Sequence, residues 1–244
     1  MRNVWIIARR EYKQYFTSPV FYAVAFAIFV ILGIIFYSNI LAAVFQQMTP
    51  GIQIVVGPMV TLFLFTIPAI TMRSLAEELK SGTLELLLTA PVRDWELVVG
   101  KWLGGVLFVL TIIAATLIYP LMLNQMVTPG IDQGMMIAAY LGLLLLTSTF
   151  IAIGVACSSM FSNQIAAFFV TIGIFLILWM VSYPAQVMGQ TAGGEVLKYL
   201  DISEHFFSSF YMGIIEIKDI VYYISLISFA LLFGTVSVET RRWR

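Results

Sequence analysis

Histidine, cysteine and charge are all scarce in this chain of 244 residues, which has one His, one Cys and only 11% Asp, Glu, Lys and Arg. With Cys157 alone inside an apolar run, neither a disulfide framework nor a cysteine-based metal site can form within one chain. The only histidine, His205, belongs to no H-E-x-x-H pattern and has no second histidine with which to complete a zinc site. Beside aromatic residues it reads as an interfacial side chain, not a catalytic one. The central parts of the long apolar runs contain no Asp, Glu, Lys, Arg or His. A serine hydrolase would therefore lack a base, and the midplane lacks the carboxylate or histidine that ion-coupled transporters commonly keep. Gly100-Lys101 resembles the end of a phosphate-binding loop, but Trp95 stands where its first glycine belongs and Trp102 where Ser or Thr would hold magnesium. ATP cannot be bound that way.

What is abundant is apolar surface. Hydrophobic residues make up 61% of the chain and mean hydropathy is +0.97, whereas soluble domains carry about 25% charged residues. These values predict an all-α integral membrane protein. A helix needs about 20 apolar residues to cross a hydrocarbon core roughly 30 Å thick. Six runs satisfy this, approximately Val20 to Val44, Ile54 to Met72, Trp102 to Leu123, Met135 to Cys157, Ile165 to Tyr183 and Ile220 to Val238. The first is too long for the apolar core of a signal peptide and is expected to be retained. Positive residues favour the cytoplasmic side. With an even number of spans, eleven of the 13 Lys and Arg residues share one side with both termini, and only Lys198 and Lys218 lie opposite. Both termini are thus expected in the cytoplasm of a plasma (inner) membrane protein.

Three segments outside the spans are large enough to act. In residues 1–18, Val4, Trp5, Ala8, Tyr12, Tyr15 and Phe16 fall within an arc of about 120°, facing Arg2, Arg9, Arg10, Lys13, Gln14 and Thr17. This predicts an amphipathic helix in the inner interface, with Ile6 and Glu11 as imperfect members. Ser18-Pro19 then turns the chain into the bilayer. A plain positively charged flank is the simpler alternative. The outer segment 184–219 carries Phe206, Phe207, Phe210 and Tyr211 after Gly193-Gly194, a pattern that suits short helices dipping back into the outer interface. No linker, short-period repeat or low-complexity tract divides residues 1–244, so a single membrane domain is expected.

The third segment, "RSLAEELKSGTLELLLTAPVRDWELVVGKW" at residues 73–102, holds nine of the 26 charged side chains. On a helical projection Leu75, Ala76, Leu79, Leu86, Leu87 and Ala90 share one side, while Glu77, Glu78, Ser81, Glu85 and Thr89 occupy the other. Gly82 weakens a helix by about 1 kcal/mol relative to alanine, so Ser81-Gly82-Thr83 reads as one helix ending and another starting. Thr83 can cap the second, with Glu85 in its first turn. Leu84 and Leu88 project amid the acids and point to a protein partner, and the mixed charges of the loop suit complementary ion pairs. A solvated connector laced with its own salt bridges is the alternative.

The pattern "AEELKSGTLELLLTAPVRDWELVVGKW" resembles the type-two ABC transporter permeases. The start "ARREYKQYFTSPVFYAVAFAIF" and the end "LKYLDISEHFFSSFYMGIIEIKDIVYYISLISFALLFGTVSVETRRW" look like the branch containing the gliding-motility permeases. The resemblance implies a six-span half-transporter with an amphipathic connecting helix, short re-entrant helices before the sixth span, and a cytoplasmic coupling helix docked on an ABC ATPase subunit within the loop 73–92. Carried onto this chain, the coupling element is about Arg73 to Thr83, with Glu77, Glu78, Lys80 and Gly82 at the contact and Glu85 near its edge; Leu84, projecting amid the acids, is counted with them. Trp5, Arg9, Arg10, Tyr12 and Lys13 belong to the connecting helix. ATP and magnesium would be bound by the partner, with no cofactor or metal in this chain. A second permease subunit, identical or related, and membrane lipid complete the expected partners; nucleic acid is not among them.

Pro58 and Pro68 are expected to kink the second span. Gly142, Gly154 and Ala156 are expected to permit close packing of the fourth. A pathway without fixed charge suits a lipid, an amphiphile or a neutral polymer. The competing classes are an ATP-independent transporter or scramblase and a structural anchor for an envelope or motility assembly.

Overall fold

The structure, a computed structural model, describes residues 2–82, 93–184 and 191–242, apart from the side chains of Val20, Ala192, Arg241 and Arg242. Among the described residues it is all helical: α1 (Arg2–Thr17), α2 (Pro19–Phe45), α3 (Gln53–Thr71), α4 (Ala76–Ser81), α5 (Asp94–Thr116), α6 (Ile118–Met126), α7 (Gln133–Met160), α8 (Gln164–Met180), α9 (Ala192–Leu200), α10 (Glu204–Phe207), a 3-10 turn (Phe210–Met212) and α11 (Ile217–Arg242). Six stretches are long and apolar enough to cross a membrane: Phe21–Phe45, Gln53–Ser81, Asp94–Met126, Gln133–Met160, Gln164–Pro184 and Ile217–Thr240. They coincide with the six expected runs.

Helix starts follow local chemistry. Pro19 occupies the first turn of α2, where its missing N–H costs nothing. Asp132 caps α7 by accepting from the amides of Gly134 and Met135 at 2.8 and 3.2 Å. Asn163 does the same for α8, accepting from Ile165 N at 2.9 Å. The third span is broken at Leu117, between α5 and α6. Pro120 explains the break: it has no N–H for the carbonyl of Thr116, four residues earlier, and its ring crowds that carbonyl. Pro58 and Pro68, by contrast, both lie inside the single helix α3.

Helix α7 is the centre of the molecule, packing against α3, α5, α8 and α11. Every residue from Leu146 to Ser159 is buried, as befits a helix surrounded by others. Gly142 and Gly154 are packing positions, as expected: a methyl group at Gly142 would strike Phe210, and one at Gly154 would strike Thr71. The opposite extreme is α2, which leaves Phe26, Ile34, Tyr37, Val44 and Phe45 exposed.

At the end opposite the termini, α9, α10 and the 3-10 turn form short helices, and of the four aromatics expected at the interface two turn inward while Phe207 and Tyr211 are half-buried. Phe206 and Phe210 are fully buried, and the 3-10 turn packs on α7. His205 is also buried and is not an interfacial residue. Its Nδ1 lies 2.7 Å from Asp219 Oδ1, its Nε2 lies 2.9 Å from the carbonyl of Tyr199, and its ring stacks on Tyr222 at a centroid separation of 3.8 Å. A buried carboxylate needs a partner, and Asp219, fully enclosed at the start of α11, draws the histidine inward.

Candidate functional site

The charged end is built from α1, α4 and the first turns of α5. Helix α1 lies along α5, and two glycines set the distance. A Cβ at Gly100 would lie 2.7 Å from Cβ of Ile7 and 3.2 Å from the carbonyl of Val4; one at Gly104 would lie 2.6 Å from Cβ of Glu11 and 3.1 Å from the carbonyl of Ala8. The backbones can approach only because both positions lack side chains. Ala8 and Tyr15 are buried in this contact, Tyr15 stacks on Phe108 with centroids 4.8 Å apart, and the Tyr12 hydroxyl lies 3.1 Å from Thr111 Oγ1. Trp5 and Ile6 stay exposed on the far side, so α1 combines an exposed apolar edge with a face committed to α5. Arg9, Arg10 and Lys13 are exposed. Glu11, out of place on an apolar arc, is an inward-facing residue.

Glu11 turns inward because Lys101 is there. Lys101 Nζ, 2% exposed, lies 2.7 Å from Glu11 Oε1 and 2.9 Å from Glu78 Oε1. One buried ammonium thus ties α1, α4 and α5 together. Its three donors suit it to two carboxylates at once, and removing it would leave two acids in a low-dielectric environment. A further link joins the starts of α1 and α5: Asn3 Nδ2 donates to Glu96 Oε2 at 3.0 Å, and the same oxygen accepts from Arg93 N at 3.1 Å.

Helix α4 has its own anchorage. Its preceding residue, Leu75, has no side-chain oxygen with which to cap the helix, and a serine from α7 takes over the task. Ser158 Oγ accepts from the amides of Leu75 and Ala76, each at 3.0 Å, and donates to the carbonyl of Met72 at 3.3 Å. Gly82 ends α4 with φ of 71°, the left-handed geometry that glycine adopts without strain. Replacing Ser158 by alanine is expected to destabilise α4 by about 1–2 kcal/mol, the cost of losing a cap that serves two buried amides. Hydrogen exchange would show it as faster exchange of the Leu75 and Ala76 amides, with α7 otherwise unchanged.

The predicted coupling residues therefore separate. Glu77, Lys80 and Gly82 are exposed, while Arg73 is half-buried in the turn before α4. Glu78 does not share the outward face of Glu77; its pairing with Lys101 turns it toward the core. Thr83, Leu84 and Glu85 lie outside the described residues, as does the rest of the stretch up to residue 92. Ser158 and the buried pairing of Lys101 are not among the candidates that the sequence pattern offers. A signal for the pairing was present: an acid inside an apolar arc at Glu11 and a lysine entering a span at Lys101.

Between α1, the start of α2 and the turn from α3 to α4 lies a cavity of about 480 Å³, lined by residues that include Arg10, Arg73, Ser74, Glu77, Glu78 and Lys101. The charged cluster thus surrounds a chamber, and the acidic and basic side chains on its wall are equal in number.

Comparison with protein families matches residues 5–238 to the family described as ABC-2 family transporter protein. No curated protein sequence gives a significant match.

Proposed function

This chain belongs to the ABC-2 transporter family, a multi-pass membrane permease subunit of an ABC transporter, and from that premise we propose that α4 is the element through which a separate ATPase drives it. In this reading both termini, α1 and α4 face the cytoplasm, and ATP with magnesium is bound and hydrolysed by the partner chain. Two permease subunits, identical or related, form the pathway, and the exposed apolar face of α2 is available to lipid or to the second subunit. The transporter works as an exporter, and its terminal segments favour the gliding-motility branch of the family.

The observation that carries this reading is the two-sided character of α4. One side is fixed to the membrane core by Ser158 and by the Glu78–Lys101 pair; the other presents Glu77, Lys80 and Gly82 outward. An element that is rigidly held from behind and charged in front can transmit a displacement. ATP-driven closure of the partner would move α4 together with α1 and bias the spans between inward and outward states.

The test is charge reversal on the outward face. In the reconstituted complex, Glu77→Lys with Lys80→Glu is expected to reduce stimulation of the partner's ATPase by about tenfold or more, the scale of losing a charge pair at an interface, while the purified permease keeps its wild-type melting temperature. Undiminished assembly and stimulation would refute α4 as the coupling element.

A further inference from the structure

The cavity at the charged end is not filled by the protein's own hydrogen bonds. Among the described residues, three buried polar atoms around it have no partner: Arg73 Nε, Ser74 Oγ and Glu78 Oε2. Ser74 is itself only 7% exposed. Buried polar atoms are nearly always satisfied, and each one left unmade costs about 1–3 kcal/mol. Their chemistry is also complementary in kind. Arg73 Nε can only donate and a carboxylate oxygen can only accept, whereas a serine hydroxyl does both. A ligand that satisfies all three must therefore carry both an acceptor and an N–H or O–H donor.

The charges say the same. Glu11 and Glu78 share the single ammonium of Lys101, so that group retains negative charge, while Arg10 and Arg73 supply positive charge on the same wall. The cavity fits a zwitterion, with its anion toward the arginines and its cation toward Glu78. At about 480 Å³ it falls in the range of roughly 300–1,000 Å³ typical of small-molecule sites.

The cavity has an apolar neighbour. A second groove, about 150 Å³ and lined by residues including Phe16, Tyr22, Ala25, Phe29, Phe108 and Ala115, shares Tyr15 and Phe21 with the polar cavity. It runs between α2 and α5, two of the membrane-crossing stretches. A polar chamber at the ends of the spans, flanked across Tyr15 and Phe21 by an apolar groove along them, matches the two parts of an amphiphile.

We propose that this chamber and groove bind one phospholipid with a primary-amine headgroup, of the ethanolamine phosphate class, in the leaflet on the side of the termini. The phosphate takes Arg73, Arg10 and Ser74, the ammonium donates to Glu78 Oε2, and an acyl chain lies in the groove between α2 and α5. The trimethylammonium of a choline headgroup has no N–H to give Glu78, so the site discriminates between the two headgroups. The bound lipid would bridge α1, α2 and the α3–α4 turn at the same cluster that positions α4.

The experiment is native mass spectrometry of the purified chain after exchange into nanodiscs holding equal amounts of ethanolamine, choline and glycerol phospholipids. The wild type is expected to retain the ethanolamine lipid about tenfold over the choline lipid, the worth of one charge-assisted hydrogen bond. Glu78→Gln should bring that preference to about twofold or less. Ser74→Ala, a small change that the fold tolerates, should lower retention about threefold, and Ala25→Trp, which plugs the groove away from the charges, should abolish retention. Soluble glycerophosphoethanolamine should compete only weakly. Equal retention of ethanolamine and choline lipids by the wild type would overturn the proposal. So would a preference undiminished in Glu78→Gln, retention unchanged in Ser74→Ala or Ala25→Trp, or a soluble headgroup that competes as well as the lipid.

Discussion

Replacing Lys101 by methionine is expected to release both α1 and α4 from the membrane core. The ammonium is 2% exposed and lies within 2.9 Å of two carboxylates on separate elements. Breaking a buried ion pair by removing one partner costs about 3–5 kcal/mol, because the remaining charge stays buried without compensation; here two carboxylates are stranded. The loss should appear as a lowered melting temperature in detergent. A companion variant separates charge from packing. Glu11→Met and Glu78→Met added to Lys101→Met remove the three charges of the ion-pair network, and replacing all partners of a buried network by apolar groups of similar shape is often close to neutral. The triple variant should therefore recover most of the melting temperature lost by the single one. A single variant as stable as wild type would show that Lys101 does not hold the cluster together.

Leucine at Gly104 is expected to detach α1 without touching a charge. A Cβ there meets both the Cβ of Glu11 at 2.6 Å and the carbonyl of Ala8 at 3.1 Å. Because these are main-chain and near-main-chain atoms, no rotamer change relieves the clash and the whole helix must move. Overpacking of this kind costs about 1–3 kcal/mol, which raises the detached population by up to roughly 100-fold. Ala8 is fully buried against α5, so a cysteine introduced there reports the detachment directly. Its modification by a water-soluble maleimide should be slow in the otherwise wild-type chain and faster by that factor in Gly104→Leu. Equal rates would mean that α1 is not seated on α5. The native Cys157 is buried and contributes little background.

The spans were legible because a bilayer demands one thing above all, a sustained apolar run, and six such runs are separated by polar or proline-containing turns. The break at Leu117 was less so, because only a register count from Pro120 back to Thr116 reveals which carbonyl loses its partner. The helical projection of residues 74 to 90 separated Leu75, Ala76 and Leu79 from Glu77 correctly, since Leu75 and Ala76 are buried and Glu77 is exposed. It placed Glu78 outward as well. A projection gives the direction of a side chain relative to its helix axis, but not what another helix brings to meet it, and Lys101 arrives from 23 residues away. Ser158 lay beyond reach for the same reason: a cap supplied from another helix leaves no mark near the helix it caps. His205 reads as interfacial in the sequence because flanking aromatics occur both at interfaces and in cores, and only the fully buried Asp219 decides between them.

In the proposed mechanism α1 and α4 are bound through Lys101 into one block that moves as the partner ATPase cycles. Spin labels at Lys13→Cys and Lys80→Cys, both exposed positions, measure it most directly by pulsed dipolar spectroscopy on the reconstituted complex, with a third label at Val196 on the opposite end. The separation between positions 13 and 80 is expected to stay constant between nucleotide-free and ATP-bound states, while the distance from each to position 196 changes. A separation between 13 and 80 that shifts with nucleotide, or distances to 196 that do not, would contradict it.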